Sequence, residues 1–168
     1  MGLKFQVNIP FVEALGFEML RFENGEAEIA VQPREDHMNS WSVVHGGVSM
    51  TLLDVAMAHA ARSPKEGSTP DSRGVVTIEM KTSFFRPGLG RLLAKAKVLH
   101  QTASFAFCEG SIYADDGTLV AHATGTFKFL KALPAGGRQL KRLNASDCFD
   151  HARSSRQKTP ARRCKCSP

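Results

Sequence analysis

The sequence predicts an α+β fold: one long buried helix wrapped by a curved antiparallel sheet of about five to six strands. Three observations point there. Residues 46–61 read GGVSMTLLDVAMAHAA, apolar or small nearly all round with Asp54 as the one carboxylate, the pattern of a helix buried rather than half-exposed. Upstream, two strand-like runs flank Asn24-Gly25, a strong two-residue hairpin signal because both turn positions require positive φ. Downstream, four strand-like runs follow one another across short turns, and short links favour antiparallel neighbours because parallel ones need crossovers of about a dozen or more residues.

Taken in chain order, Ile9 to Leu15 predicts a short amphipathic helix stopped at Gly16, glycine being a common helix terminator. Phe17 to Glu23 and Glu26 to Gln32 are the two hairpin strands, and Gly46 to Ala61 is the long helix. Ser63 to Arg73 carries Pro, Gly, Ser, Thr and Asp and reads as a loop. The later strands are Gly74 to Phe85, Leu92 to Gln101, Ser104 to Tyr113 and Leu119 to Phe129, separated by Pro87-Gly88, the turn around Thr102-Ala103, and Asp115-Asp116-Gly117. Together they read as a meander of long strands.

Composition bounds the rest. With 168 residues, 42% of them hydrophobic, the chain suits a single core. Its charge of +6 is uneven: residues 131–168 hold ten Lys or Arg against Asp147 and Asp150, a net +8, while residues 1–130 sum to −2. The reading is therefore a domain over 1–130 and a basic, largely disordered tail over 131–168. Tails of this kind contact nucleic acid or anionic lipid only non-specifically, so no specific nucleic-acid partner is assigned. No secretory leader pattern and no apolar run of about 20 residues is present, which predicts a cytoplasmic protein without a membrane span. Cys108, Cys148, Cys164 and Cys166 are too scattered for a disulfide framework and predict free thiols.

The chemistry concentrates on the long helix. Its first amides lack intrahelical acceptors and its dipole places partial positive charge at His45-Gly46-Gly47, so that end can hold an oxyanion. Asp54 is costly inside an apolar helix unless it is partnered or carries chemistry. It lies nine positions after His45, which at about 100° and 1.5 Å per residue is roughly the opposite face and about 13 Å further along. A site using both the Gly46 amide and the Asp54 carboxylate must draw them from two copies of the helix, and so from a dimer. The residues alone equally allow glycines that serve close packing and an Asp54 that is simply a satisfied polar group.

Other constellations add little. His59 stands fourteen positions from His45 and five from Asp54 and, with His37, His100 and His122, forms no His-x-x-x-His pattern, so no metal and no cofactor is implied. There is no Gly-x-Ser-x-Gly elbow of an α/β serine hydrolase. Cys108 lies in an apolar strand-like run and reads as a buried inert thiol.

Asn39, His45-Gly46-Gly47, Asp54 within the apolar helix, Thr77 in VVTIEM, and Phe84-Phe85-Arg86-Pro87-Gly88 together resemble the hotdog-fold acyl-CoA thioesterases, in particular the PaaI-type (phenylacetate-degradation) subgroup. The resemblance spans about Pro10 to Leu130. It implies that the Gly46 amide polarises a thioester carbonyl while Asp54 of the neighbouring subunit acts as nucleophile or as general base for water. It also implies that Asn39 and His45 shape the loop around the thioester and that the Thr77 hydroxyl helps place the attacking water. Acyl-CoA is the implied substrate, and a homodimer, paired into a homotetramer, the implied assembly. Substrate-binding candidates are Gly47, Met50, Met57, Phe84, Phe85 and Arg86, with Leu53 a further pocket candidate and Arg91 and Lys128 further phosphate partners. Core packing is an alternative explanation for each apolar one. Trp41 either covers the site or is a structural ring. Two rival functions stand beside hydrolysis: a non-catalytic acyl-CoA-binding or regulatory module, and an acyl-thioester hydratase or dehydratase, disfavoured because no Asn-Pro or Pro-Gly motif follows a glycine-aspartate here.

Overall fold

A computed structural model describes residues 3–5, 8–68 and 73–130. The basic segment 131–168, and with it Cys148, Cys164 and Cys166, lies outside the described residues. Pro10 opens the first helix, α1 (Pro10–Ala14), where a missing N–H costs nothing, and Gly16 at φ +66° ends it. The hairpin strands β1 (Phe17–Glu23) and β2 (Glu26–Val31) follow. Asn24 and Gly25 between them have φ of 51° and 78°, the doubly left-handed turn expected of Asn-Gly. A short 3-10 turn at Glu35–His37 precedes the long helix α2 (Gly46–Arg62). Four strands complete the described residues: β3 (Gly74–Phe84), β4 (Leu92–Gln101), β5 (Phe105–Ala114) and β6 (Leu119–Leu130).

All six strands form one antiparallel sheet in the order β1-β2-β4-β5-β6-β3. The four later strands are therefore not a simple meander. β4, β5 and β6 pair in sequence, but β3 lies on the far edge beside β6, and β4 inserts next to β2. The link from β3 to β4 runs over the end of the sheet, where Gly88 packs on Val44, Leu92 and Val120 and its carbonyl accepts from the Val44 N–H at 3.0 Å.

The sheet curls around α2. Leu52, Leu53, Ala56, Met57 and Ala60 on its inner face are fully or almost fully buried. Where the helix sits closest, the sheet carries glycines: a Cβ at Gly110 would meet Leu53 and Met57 at 3.2 and 3.3 Å, and one at Gly125 would meet Met57 at 3.3 Å. The uniformly buried helix expected from composition is corrected on one side. Met50 is 40% exposed, and Thr51, Asp54 and Ala58 are only half-buried, because this stripe borders a cavity instead of packing directly on the sheet.

Candidate active site

The loop before α2 is built by two side chains. Asn39 Oδ1 accepts the Trp41 N–H at 2.8 Å and the Val43 N–H at 3.4 Å, closing a tight turn in which Ser42 takes φ 57°. The buried His37 passes its carbonyl to the His45 N–H at 2.9 Å, anchoring the last residue before the helix. His45 is the N-cap: Nδ1 accepts the Gly47 N–H at 2.9 Å and its carbonyl accepts from Val48 and Ser49. Of the first-turn amides this leaves Gly46, whose N–H meets no acceptor among the described residues. That amide is the one aligned with the helix dipole and open to a ligand oxygen.

Gly46 lines a cavity of about 320 Å³ with Ser49, Phe84, Phe85 and Arg86. The Phe84 ring sits so close that a Cβ on Gly46 would lie 3.5 Å from it. Phe84 and Phe85 are 51% and 56% exposed, and the backbone N–H groups of Phe85 and Arg86 both bond to the Val120 carbonyl.

Asp54 lines a different cavity, of about 550 Å³, walled by α2, by α1 and by β3. Its Oδ1 accepts a 2.6 Å hydrogen bond from Thr77 Oγ1. The strand prepares this contact. The register of β3 against β6 shifts between Thr77 and Glu79, and a bulge of this kind re-aims a side chain. Thr77 thereby faces the helix while Glu79, on the outer face, accepts from Thr126 at 2.8 Å.

Within one protomer Gly46 and Asp54 thus belong to separate cavities, Phe84, Phe85 and Arg86 accompany the first, and Met50 and Thr77 accompany Asp54. Gly47 spends its N–H on the cap. Met57 is fully buried against the sheet, as is Leu53, so both are core residues rather than pocket lining. Trp41 is 83% exposed and is not a structural ring of the protomer. Arg91 pairs with Glu18 at 3.1 Å, and Lys128 lies exposed on β6.

Sequence reasoning missed part of the larger cavity's wall. Asn8, Phe11 and Val12 line it from the N-terminal side, and His59 from α2. His59 is 6% exposed, donates from Nδ1 to the Val55 carbonyl at 2.7 Å and packs edge-on against Phe5 and Phe22. Burial pushes its pKa down to about 4, with the Val55 hydrogen bond opposing and Arg62 adding to the fall, so the imidazole is neutral near pH 7. Ala58 stands one helical turn after Asp54 on the same side of α2; the N-terminal wall carries no local signal. Cys108 is buried and its thiol is pushed up to about 12 by desolvation. No cluster of three or more His, Cys, Asp or Glu able to hold a metal occurs among the described residues, and no helix there is long and apolar enough to cross a membrane.

A hotdog arrangement whose one long helix opens on Gly46 and carries Asp54 defines a protein class: the chain belongs to the Thioesterase superfamily, whose family pattern matches residues 42–121. Among individual relatives, it is 30% identical over 140 residues to the medium/long-chain acyl-CoA thioesterase YigI of Salmonella typhimurium, covering 76% of this chain and 90% of that one. A conserved protein of Pseudomonas aeruginosa superposes with a TM-score of 0.68 at 30% identity, over 74% of this chain and 97% of that one. A mutant of the phenylacetic acid degradation protein PaaI from Thermus thermophilus superposes with a TM-score of 0.63 at 33% identity, over 73% of this chain and all of that one.

Proposed function

We propose that the protein hydrolyses acyl-CoA thioesters to the free acid and CoA, with each active site shared between two protomers. The observation that carries the reading is Asp54 itself, a carboxylate held by the Thr77 hydroxyl at 2.6 Å on the wall of a mainly apolar cavity. The name of the Salmonella relative, a medium/long-chain acyl-CoA thioesterase, supports the reaction class.

In this reading the thioester carbonyl oxygen sits on the Gly46 N–H of one protomer, and Asp54 of the other either attacks the carbonyl carbon or removes a proton from the attacking water. The amide stabilises the negative charge that develops on oxygen, a contribution typically of about 10²–10³ in rate per donor; general-base assistance supplies about 10²–10⁴ more. Thr77 holds Asp54 in place and is poised to orient the water. His45 and Asn39 fix the geometry of the helix entrance, and the second ring nitrogen of His45 remains available to substrate. Phe84, Phe85 and Arg86 sit beside Gly46, where the pantetheine arm and its phosphates would leave toward solvent.

Dimerisation follows from the split site. Gly46 and Asp54 are eight residues apart on one helix, roughly 12 Å along its axis, and line separate cavities; bringing both to one carbonyl requires a second helix. β3 is one of the two edge strands of the sheet and is unpaired on its outer side among the described residues, and Val76 and Ile78 on it are 39% and 54% exposed, an edge that invites pairing with its own copy. Pairing of two dimers into a tetramer is part of the proposal by family resemblance.

A thiol-release assay over short, medium, long and aromatic acyl-CoAs, run on wild type and Asp54→Asn, tests the reaction. Turnover by the wild type and its loss in the mutant is expected. Undiminished turnover in Asp54→Asn would remove Asp54 from the mechanism, and tight acyl-CoA binding without turnover would favour a binding module. A fully active monomer in solution scattering would sink the shared site.

A further inference from the structure

The larger cavity has a direction. Met50, Asp54, Ala58 and Arg62 follow one another at i+4 spacing, all line this cavity, and so form one stripe along the helix. Upstream of Asp54 the stripe carries the long Met50, 40% exposed. Downstream it carries Ala58, whose side chain ends at Cβ, and a long side chain does not recur until Arg62, about 12 Å from Asp54 along the axis. The stripe therefore has a single gap, directly beyond the carboxylate. Val12 of α1 and Val75 and Met80 of β3 line the same cavity, whose volume of about 550 Å³ lies within the range of roughly 300–1,000 Å³ that holds small-molecule ligands.

We propose that Ala58 is the residue that sets acyl-chain length: the acyl group runs from the carbonyl at Asp54 over Ala58 toward Arg62, and the absence of a side chain there admits an extended apolar acyl group of medium length. The inference rests on the thioesterase reading of Asp54. An acyl chain taking this course buries its methylenes against Val12, Val75 and Met80, and the roughly two turns of helix between Asp54 and Arg62 limit its reach. The half-buried Ala58 borders the cavity as well as the core, so a larger side chain there enters the cavity instead of the packed interior.

The test is the ratio of kcat/KM for octanoyl-CoA to that for propionyl-CoA. The two substrates share CoA and the thioester, so losses common to both, such as weaker dimerisation, cancel in the ratio. Leucine is nearly as good a helix former as alanine, and in Ala58→Leu the ratio falls by about tenfold or more, the equivalent of roughly two excluded methylenes. In Val75→Ala, which removes bulk from the β3 wall of the cavity, the ratio rises. A ratio in Ala58→Leu within about threefold of wild type overturns the proposal; should that variant not fold, an unchanged or lowered ratio in Val75→Ala overturns it instead. Failure of the underlying reading is distinct, appearing as undiminished turnover of both substrates by Asp54→Asn.

Discussion

Thr77 Oγ1 donates to Asp54 Oδ1 at 2.6 Å, joining the edge strand β3 to the middle of α2. The contact spans 23 residues of sequence and depends on the bulge after Thr77, without which the side chains beyond it would exchange faces. A hydrogen bond to a charged group is worth about 1.5–3 kcal/mol. Thr77→Val keeps the shape and deletes the donor, so kcat/KM for thioester cleavage is expected to fall roughly 10- to 100-fold, with Thr77→Ser recovering most of it. Steady-state thiol release on the three proteins is the measurement. Wild-type rates in Thr77→Val would mean that the contact is only structural.

The open edge of β3 is the next point of attack. Ile78, 54% exposed, occupies the bulge, where the register skips between Thr77 and Glu79. A lysine there leaves the protomer's own core untouched but places a charge where two copies of the strand would meet. Ile78→Lys is expected to shift the protein to monomer in light scattering and to lose most of its activity, while thermal melting stays cooperative. A monomeric Ile78→Lys with full turnover contradicts the shared site.

Much of this architecture is legible in sequence because its signals are local. Asn24-Gly25 selects its turn by backbone chirality, Gly16 stops α1 for the same reason, and the ends of β1 and β4 fall where polar turn residues interrupt apolar alternation. Strand order is not local: nothing in Gly74–Phe84 states that it pairs with β6 instead of β4, since that choice depends on how the sheet closes over α2. The site divides in the same way. His45, Gly46 and Asp54 stand out through helix-end physics and the cost of a carboxylate in an apolar run, and Asn39 and Thr77 only through family resemblance. The apolar sides of α2 do not reveal which faces the sheet and which the open cavity, so Met57 reads as pocket lining when it is core, and Ala58, which borders the cavity, passes unnoticed.

The Gly46 amide can be removed without disturbing the helix. Gly46 is the first residue of α2, the position where proline fits because its fixed φ suits the helix and the lost N–H has no intrahelical partner. The preceding residue, His45, has φ −59° and ψ 136°, the extended geometry that proline requires of its neighbour. Gly46→Pro is therefore expected to melt within a few degrees of wild type yet to lose about 10²–10³ in kcat, the usual effect of deleting an oxyanion donor. Gly46→Ala, whose Cβ would meet Phe84 at an ordinary 3.5 Å, retains the donor and is the control. Comparable kcat in the two variants would take the amide out of the mechanism.

Stability should depend on pH through His59. Burial lowers its pKa from 6.5 to about 4 in the fold, whereas an open chain restores the higher value. Between those pH values the unfolded chain binds the proton and the native protein does not, so acidification favours unfolding. The contribution of His59 is fully present above pH 6.5, declines as pH falls through that window, and is gone below about 4, an overall change of about 3 kcal/mol. Protonation would also put a cation beside Arg62. Urea unfolding at pH 7.5 and pH 5 is expected to give a clearly lower midpoint at the acid value for wild type. His59→Gln, which does not titrate, should show a smaller difference even though it is less stable at both. Equal pH dependence in the two proteins would place the acid sensitivity in some other group.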